Sequence, residues 1–240
     1  MPFDFLFNLD PLRASAVFVA GNIVAFAISA ASVALFRRRF SRRLLTPEPE
    51  PIRLSDAVLA GVAVLLNAGV GMAGWILWKA GAVALTSPSV ARTLFDAALM
   101  LLAMDLEMFA LHWVAHRPLP YRLFHARHHR HERTNAISLF VLHPAEVLGF
   151  GALIIGWLVL YPMSGPGLLI YLALNLAFGT LGHLGSEPLP AAARRHPLGR
   201  WLGTATFHGD HHLHPDRNFG FYTRLWDRLF QTDHGDPDPR

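Results

Sequence analysis

Long apolar runs separated by short polar stretches follow one another along the chain, and they predict an all-α protein that lies in a membrane. Ala14 to Phe36 carries no charged residue and is long enough to span a hydrocarbon core of about 30 Å. Ala57 to Trp78 is a second run of this kind, and a third helix begins near Val90. The pattern therefore predicts three membrane-crossing helices in this part of the chain.

Two shorter apolar runs follow, Val147 to Tyr161 and Gly167 to Gly182, and Pro162 and Pro166 lie at the turn between them. At a rise of about 1.5 Å per residue, each run barely crosses the hydrocarbon core. They therefore form either a complete or a re-entrant membrane hairpin. With this hairpin we expect an integral membrane helical bundle of four to five membrane helices.

Arginine placement predicts how the bundle is oriented. Five arginines directly follow the first apolar run: Arg37, Arg38, Arg39, Arg42 and Arg43. Because short cytoplasmic segments carry an excess of Lys and Arg, this end is expected to be cytoplasmic. Counting spans from there places the polar, basic stretches Arg117 to Arg133 and Ser186 to Arg240 on the same side. We expect a multi-pass protein with a cytosolic helical cap.

Composition agrees with a membrane environment. The chain is 52% hydrophobic and 16% charged, whereas soluble domains carry about 25% charged residues. The net charge is +4, and the basic residues cluster between apolar runs. That arrangement favours membrane orientation over nucleic-acid binding, so no nucleic-acid partner is expected. Since the first residues lack a basic segment, no cleavable signal peptide is expected.

The absence of cysteine narrows the metal chemistry that is possible. With no Cys, the chain cannot form disulfides, iron–sulfur clusters or cysteine-ligated zinc sites. Any metal must be held by His, Asp or Glu. The chain has 14 His, and all but one of them fall between His112 and His214. This clustering in the polar stretches points to a histidine-ligated metal site.

The histidines form four groups with regular spacing. The groups are His112 with His116; His125, His128 and His129; the isolated His183; and His208, His211 and His212. Residues three or four apart share a helix face, so each group can direct its imidazoles to one point. A catalytic zinc usually needs three protein ligands, so nine candidates exceed one such site. A pair of redox-active iron ions beside the lipid phase is the favoured interpretation.

The other histidines and the acidic residues have expected roles outside the ligand set. His131, His214 and His234 fit no shared spacing and are interpreted as supporting or surface residues, and His196 as solvated. Ligand imidazoles usually donate their second N–H to a carboxylate or a carbonyl. The carboxylates that could accept it are Asp105, Glu107, Glu146, Glu187, Asp210 and Asp227. Asp105 is the best placed because residues 105, 112 and 116 share a helical stripe, although a buried partner for an arginine is an equal alternative.

Between Asp105 and Asp233 the motifs occur in an order that resembles the fatty acid hydroxylase superfamily, which includes sterol desaturases, methylsterol oxidases and fatty acyl hydroxylases. Asp105 lies seven residues before His112. The later motifs are Phe124-His125-x-x-His128-His129, His143-Pro144-x-Glu146, His183, Phe207-His208-x-x-His211-His212, Asn218-Phe219-Gly220 and Leu225 to Phe230. Each motif is weak alone, but the ordered set is specific.

The resemblance implies N-terminal membrane helices over residues 1–100 and a di-metal catalytic domain over residues 101–240, which includes the hairpin at about 147–182. It implies two iron ions, with zinc as a substitute in purified protein. It also implies O2, a membrane lipid substrate and an external electron donor such as a reductase, a ferredoxin or a cytochrome b5-like carrier. The implied ligands are His112, His116, His125, His128, His129, His183, His208, His211 and His212. Of the carboxylates above, Asp105, Glu146 and Glu187 are the candidates expected to support them.

One departure and two other functions remain open. Some acyl hydroxylases have a histidine four residues after the position of His183, where this chain has Glu187. Glu187 is either a tenth ligand or a polar residue at a helix end, and the second role is favoured. A histidine-lined metal transporter would place its ligands near the bilayer midplane. A membrane zinc hydrolase is the other alternative, but His131-Glu-x-x-Asn135 lacks the second histidine of the zincin motif.

Overall fold

The computed structural model describes residues 4–46 and 48–235, and these residues are mostly helical. Five longer helices form the bundle, and short helices connect or cap them. The elements are α1 (Asp4–Phe7), α2 (Pro11–Arg39), α3 (Leu54–Lys79), β1 (Leu85–Thr86), α4 (Val90–Ala115), α5 (Pro118–Pro120), α6 (Pro144–Leu160), β2 (Met163–Ser164), α7 (Gly165–Gly182), α8 (Ala191–Arg195), α9 (Ala205–Leu213) and α10 (Leu225–Leu229). The expectation of a mainly helical chain is confirmed, and residue 47, inside the turn after the arginines, lies outside the described residues.

Three of the helices, α2, α3 and α7, are long and apolar enough to cross a membrane, while α6 is apolar but shorter. Large apolar side chains such as Ile28, Leu65 and Leu169 are more than half exposed on these helices. A contiguous apolar surface of this kind marks contact with a membrane or a partner. The exposed faces therefore fit the membrane helices expected from the hydropathy pattern.

The order of the long helices follows from their contacts: α2 packs on α3, α3 on α6, and α4 on α7. Gly81 ends the α3 turn with φ 78°, a conformation that glycine adopts without steric cost. The two-residue strands β1 and β2 then pair in parallel, Leu85 with Met163 and Thr86 with Ser164. The tip of the α6–α7 hairpin therefore lies beside the turn between α3 and α4.

A buried carboxylate joins these two turns. Asp96 on α4 accepts hydrogen bonds from the backbone N–H of Ser164 at 2.6 Å and from the hydroxyl of Tyr161 at 2.8 Å. The guanidinium of Arg92 pairs with the same carboxylate at 2.8 Å. Because Asp96 is fully buried, these partners offset its desolvation. They hold the end of the bundle that lies away from the histidines.

At the other end, short elements cover the C-terminal ends of α4 and α7. They are α5, a single π turn at Tyr121–His125, 3-10 turns at His128–Arg130, Ser138–Phe140 and Gly199–Trp201, and the helices α8, α9 and α10. Arg37 and Arg43 near the end of α2 donate to the carbonyls of Gly185 and Pro188, which ties this helix to the same cap. The cap is the part of the fold that gathers the histidines.

Candidate metal centre

The first two histidines lie where α4 ends. His112 is in the last turn of α4 and His116 is its C-cap residue, and their Nε2 atoms are 3.3 Å apart. Arg117 is extended, with φ −70° and ψ 149°, because it precedes Pro118. The proline therefore ends the helix directly after the second imidazole. The spacing expected from the sequence directs both side chains to one point.

The next three histidines lie on a segment that changes its helical form. His125 ends a π turn, and His128 and His129 begin a 3-10 turn. All three are buried. His125 and His129 face the α4 histidines, whereas His128 faces a different set of neighbours. The regular helix α9 separates His211 from His208 and His212 in the same way, so the separation does not depend on the change of pitch.

His183 and the α9 histidines approach from the opposite side. His183 is the C-cap residue of α7, and its Nε2 atom lies 3.2 Å from Nε2 of His208. A Cβ atom at position 182 would lie 2.8 Å from the His208 ring, so the glycine allows this approach. Thr204 caps α9 by accepting from the backbone N–H of Phe207 at 3.1 Å. Helix α9 thus starts three residues before its first histidine.

These side chains form two adjacent groups of imidazoles. Within each group, one nitrogen of every imidazole lies within 4.8 Å of the others. Group A consists of His112, His116, His125, His129 and His211, and group B consists of His128, His183, His208 and His212. All nine histidines singled out from the sequence are therefore brought together, and eight of them are buried.

The two groups are in direct contact. The rings of His129 in group A and His212 in group B stack with centroids 4.8 Å apart and planes inclined by 26°. His125 and His128 are also neighbours, with ring centroids 5.4 Å apart. Ions held in the two groups would therefore be close neighbours.

The Nε2 contacts inside the groups fit metal ligation. The Nε2 atom of His129 lies 3.1 Å from that of His125 and 3.2 Å from that of His211. Three facing nitrogens cannot all be satisfied by hydrogen bonds, because a neutral imidazole carries one N–H. Imidazole nitrogens bind zinc at about 2.0–2.1 Å, which places neighbouring ligands of one ion about 3.0–3.4 Å apart. The observed spacing fits a bound divalent ion in place of these contacts.

Hydrogen bonds to Nδ1, the other ring nitrogen, orient five of the imidazoles, three of them through backbone carbonyls. The Nδ1–H groups of His112 and His211 donate to the carbonyls of Phe219 at 2.8 Å and Arg217 at 2.6 Å. His128 faces the carbonyl of Val141 at 3.3 Å. Such partners fix the tautomer and leave Nε2 free for a metal.

Ser138 orients the ring of His183 in the same way, through its hydroxyl group. Its Oγ–H donates to the carbonyl of Asn135 at 3.0 Å, so the oxygen accepts from Nδ1–H of His183 at 2.9 Å. The side chain of Asn135 accepts from the N–H of Ile137 and so forms the turn that presents Ser138. Sequence reasoning missed Ser138 and the three carbonyls, because neither a lone serine nor a backbone carbonyl has a sequence signature for this role.

Glu146 contacts an imidazole of group A. Its Oε1 accepts from Nδ1 of His125 at 2.5 Å, and its Oε2 accepts from the backbone N–H of His143 at 2.9 Å. His143 is the N-cap of α6 and accepts from Ala145 through its own ring, so it lies outside both groups. The carboxylate therefore joins the start of α6 to group A.

The carboxylate of Asp105 faces the C-terminal segment, whereas its helical stripe predicted a contact with the imidazoles. Its carboxylate accepts from the backbone N–H of Tyr222 at 3.1 Å and of Thr223 at 3.0 Å, and from the indole N–H of Trp226 at 3.1 Å. The hydroxyl of Thr223 also donates to it. Among the described residues it therefore holds the C-terminal segment and contacts no imidazole directly.

Glu187 is fully buried and bonds to the start of α9. Its Oε2 accepts from the backbone N–H of Thr206 at 2.9 Å and from the Thr206 hydroxyl at 2.7 Å, and its Oε1 accepts from the N–H of Leu189 at 3.0 Å. A carboxylate is favourable at a helix N-terminus. Glu187 belongs to neither imidazole group, and its position corresponds to the helix-end role favoured from the sequence.

Asp210 and Asp227 organise the loop that faces group A. Asp227 accepts from the backbone N–H groups of Phe219 at 2.7 Å and Gly220 at 2.6 Å, and burial raises its pKa. Asp210 accepts from the side-chain amide of Asn218 at 2.9 Å. Asn218 adopts φ 58°, which asparagine tolerates better than most residues. This loop places the Phe219 carbonyl on His112.

The remaining histidines lie outside the groups, as expected. His131 is buried with its ring 3.5 Å from Asp56, a residue that also pairs with Arg127. His214, with His196 and His234, is exposed. Glu107 accepts from the indole of Trp157 at 3.0 Å, within the bundle. None of these described side chains contributes to group A or group B.

Burial keeps the imidazoles neutral. It lowers the pKa of His125 to about 4, and burial together with repulsion from His125 lowers the pKa of His128 to about 3. Burial and repulsion from neighbouring histidines hold the pKa of His183 and His208 well below the usual value. Neutral rings have a free lone pair at neutral pH, which a metal requires of them.

Comparison with known proteins gives consistent matches. A family model described as fatty acid hydroxylase matches residues 97–232, which is more than half of the chain. A cholesterol 25-hydroxylase-like protein of Danio rerio is 31% identical over 161 residues, which cover 65% of this chain and 62% of that protein. Cholesterol 25-hydroxylase of Rattus norvegicus is 28% identical over 150 residues, covering 61% of this chain and 49% of that protein.

A more distant match is a fungal desaturase. The Delta(7)-sterol 5(6)-desaturase of Leptosphaeria maculans is 26% identical over 125 residues, covering 52% of this chain and 33% of that protein. The chain thus spans less than two thirds of the length of these curated relatives. No solved structure matches the chain significantly.

Proposed function

The chain belongs to the fatty acid hydroxylase family, and from that premise we propose that it is a membrane-bound di-iron oxygenase that hydroxylates or desaturates a C–H bond of a sterol or related lipid. The observation that carries the proposal is the gathering of nine neutral imidazoles into two touching groups. Imidazole ligands suit iron, and the family and its sterol-oxidising relatives favour iron over the other metals that imidazole binds.

Each imidazole group would hold one iron ion, and the irons would supply activation of O2. The chain's own residues set the ligand geometry. The Phe219 carbonyl and Glu146 orient the rings of His112 and His125, and Ser138 orients the ring of His183. Burial of the groups excludes water from the reaction, which protects a reactive centre from side reactions.

The proposed overall reaction needs electrons from outside the chain. In hydroxylation, one atom of O2 enters the C–H bond and the other leaves as water, with two protons and two electrons supplied. In desaturation, two hydrogens leave the substrate, and both oxygen atoms leave as water with the same external supply. We propose a reductase, a ferredoxin or a cytochrome b5-like carrier as the electron donor.

We also propose that α4 and the complete α6–α7 hairpin cross the membrane with α2 and α3. The hairpin tip pairs with the α3–α4 turn through β1 and β2, which supports a full crossing. The arginines Arg37, Arg38 and Arg39 end α2 on the side where the cap lies. By the positive-inside rule this side is cytoplasmic, so the proposed active site faces the cytoplasm.

The two alternative functions gain no support from the geometry. A transporter is expected to hold its ion near the bilayer midplane, whereas His112 and His183 lie at the C-terminal ends of α4 and α7. A zinc hydrolase needs three protein ligands and an open position, and nine imidazoles exceed that need.

A direct test uses purified, iron-loaded protein in lipid nanodiscs with a sterol or fatty acyl lipid, a chemical reductant and isotopically heavy O2. Hydroxylation would place one heavy oxygen in the lipid, and desaturation would remove two hydrogens without label. His129→Ala and His212→Ala, one from each group, should abolish product, while the exposed control His196→Ala should not. Product without O2, or metal flux into vesicles without lipid oxidation, would contradict the proposal.

A further inference from the structure

An apolar cleft of about 380 Å³ lies between α2 and α3, outside both imidazole groups. One face of α3 lines it through Ala57, Ala60, Gly61 and Val64, which are spaced for a single helix face. Three of these four residues are small. The cleft therefore exists because this face of α3 offers little side-chain volume to the neighbouring helix.

The open space is clearest at Gly61. A Cβ atom at this position would meet no other atom within 4 Å, and the residue is exposed. Ile23 and Phe26 of α2 form the facing wall. Since α2 and α3 are both long and apolar enough to cross a membrane, the cleft between them would face hydrocarbon chains in a bilayer.

The lining residues indicate the kind of molecule that fits. All are apolar, so they offer no hydrogen bond to a lipid head group or to water. An apolar lining favours an apolar occupant, and the volume falls in the usual range of about 300–1,000 Å³ for ligand pockets. The chemistry matches a single hydrocarbon chain.

One lining residue of the cleft adjoins the segment that supports group B. Ile137 lines the cleft, and the next residue, Ser138, hydrogen-bonds Nδ1 of His183. Val141, in the same segment, offers its carbonyl to Nδ1 of His128. Segment 137–141 thus contacts both imidazoles on their Nδ1 sides, opposite the Nε2 atoms. An acyl chain bound against Ile137 would meet this segment rather than ions held by Nε2, so the occupant is not the reacting part of a substrate.

We propose that this cleft binds one acyl chain of a bilayer phospholipid, and that the bound chain supports segment 137–141 and with it the imidazoles of His128 and His183. The support of His128 and His183 rests on the proposed metal function, whereas the binding of the acyl chain does not. The cleft would thereby couple the surrounding lipid to the order of group B.

Photolabelling tests the binding without any need for metal or activity. The probe is phosphatidylcholine with a diazirine on one acyl chain, incorporated in nanodiscs together with the protein. Labelling should concentrate on the peptides that contain residues 52–64 and residue 137. Gly61→Phe should fill the cleft and reduce that labelling several-fold. Gly69→Phe is the matched control, because Gly69 lies two turns further along α3, is also exposed, and has equally open space at its Cβ. Equal labelling of the two variants would overturn the proposal.

Iron content tests the coupling separately. Removing lipid with detergent should cost the wild type about half of its iron, and adding phosphatidylcholine before reloading with Fe²⁺ should restore it. Gly61→Phe should keep its iron without lipid, because the ring takes the place of the chain. Equal losses in wild type and Gly61→Phe would overturn the coupling. If a photoreactive sterol or free fatty acid labels the cleft instead, and Gly61→Phe alone loses product, the cleft is a substrate route and the phospholipid assignment is wrong.

Discussion

Glu146 lies on α6, a helix that contributes no imidazole to either group, and it accepts a hydrogen bond from Nδ1 of His125. Its second oxygen accepts from the backbone N–H of His143, the residue that begins α6. One carboxylate thus fixes both the entry of the membrane hairpin and the ring orientation of a proposed ligand. Because the carboxylate accepts from Nδ1–H, it leaves Nε2 of His125 directed into group A.

Replacing Glu146 with Gln should weaken metal binding. The amide is a weaker acceptor than the carboxylate and leaves the imidazole less basic, and loss of such partners typically costs 10–100-fold in metal affinity or activity. The measurement is Fe²⁺ affinity by competition with a chelator, together with lipid product formed per minute. The control is Glu132→Gln, which changes an exposed carboxylate. Unchanged iron affinity in Glu146→Gln would show that this hydrogen bond does not tune the site.

Glu187→Gln should keep both metals but lower stability. The side chain accepts three hydrogen bonds from Leu189 and Thr206 at the start of α9, and an unsatisfied buried group costs about 1–3 kcal/mol. We expect two iron ions per chain and a lower melting temperature. If the variant instead lost one iron and melted like the wild type, Glu187 would be a tenth ligand.

Asp105→Asn should loosen the C-terminal segment. The carboxylate accepts from Tyr222, Thr223 and Trp226, and an amide nitrogen in place of one oxygen leaves a donor facing donors, at a cost of about 1–3 kcal/mol. Thermal unfolding and limited proteolysis near residue 222 would measure the effect, with the exposed Asp216→Asn as control. A variant as stable and as protease-resistant as the control would refute this role.

Metal-free protein should lose stability as the pH falls from about 7 to 5.5. The folded pKa of His125 is about 4 and that of His128 about 3, whereas an unfolded histidine has a pKa of about 6.5. In this window the unfolded chain binds more protons than the folded chain, so acidification favours unfolding, by up to about 1.4 kcal/mol per pH unit for each such histidine. Melting temperatures at the two pH values would measure the slope.

Two variants check this dependence of stability on pH: His128→Gln, and His196→Gln as the exposed control. The first should flatten the pH dependence, because it removes a group that resists protonation only when folded. The second should leave the dependence as in the wild type. Equal slopes for His128→Gln and the wild type would be inconsistent with a neutral, buried His128.

Much of the membrane part could be predicted from the sequence because bilayer thickness dictates the length of an apolar helix. The runs at Ala14 to Phe36 and Ala57 to Trp78 fall inside α2 and α3. The parallel pairing of Leu85 with Met163 could not be predicted, because two residues without periodicity carry no strand signal.

The nine histidines could also be selected in advance, since spacings of three and four repeat in polar stretches. Their division into two groups could not, because it depends on which neighbouring segments each imidazole meets: the regular helix α9 sends His211 to group A and His208 and His212 to group B. For Asp105, the helical stripe does not predict the contacts of the side chain. Asp105 shares a helical stripe with His112, but Tyr222 and Thr223 bring backbone N–H groups to it from far along the chain, and a helical wheel contains no such partner.

Counting iron in three proteins probes the two imidazole groups most directly. Wild-type chain, purified without oxygen and loaded with Fe²⁺, should hold two iron ions, and X-ray absorption should show nitrogen ligands around both. His129→Ala and His212→Ala should each retain about one. A wild type that binds no iron, or a pair of variants that both still bind two, would contradict a metal pair held between group A and group B.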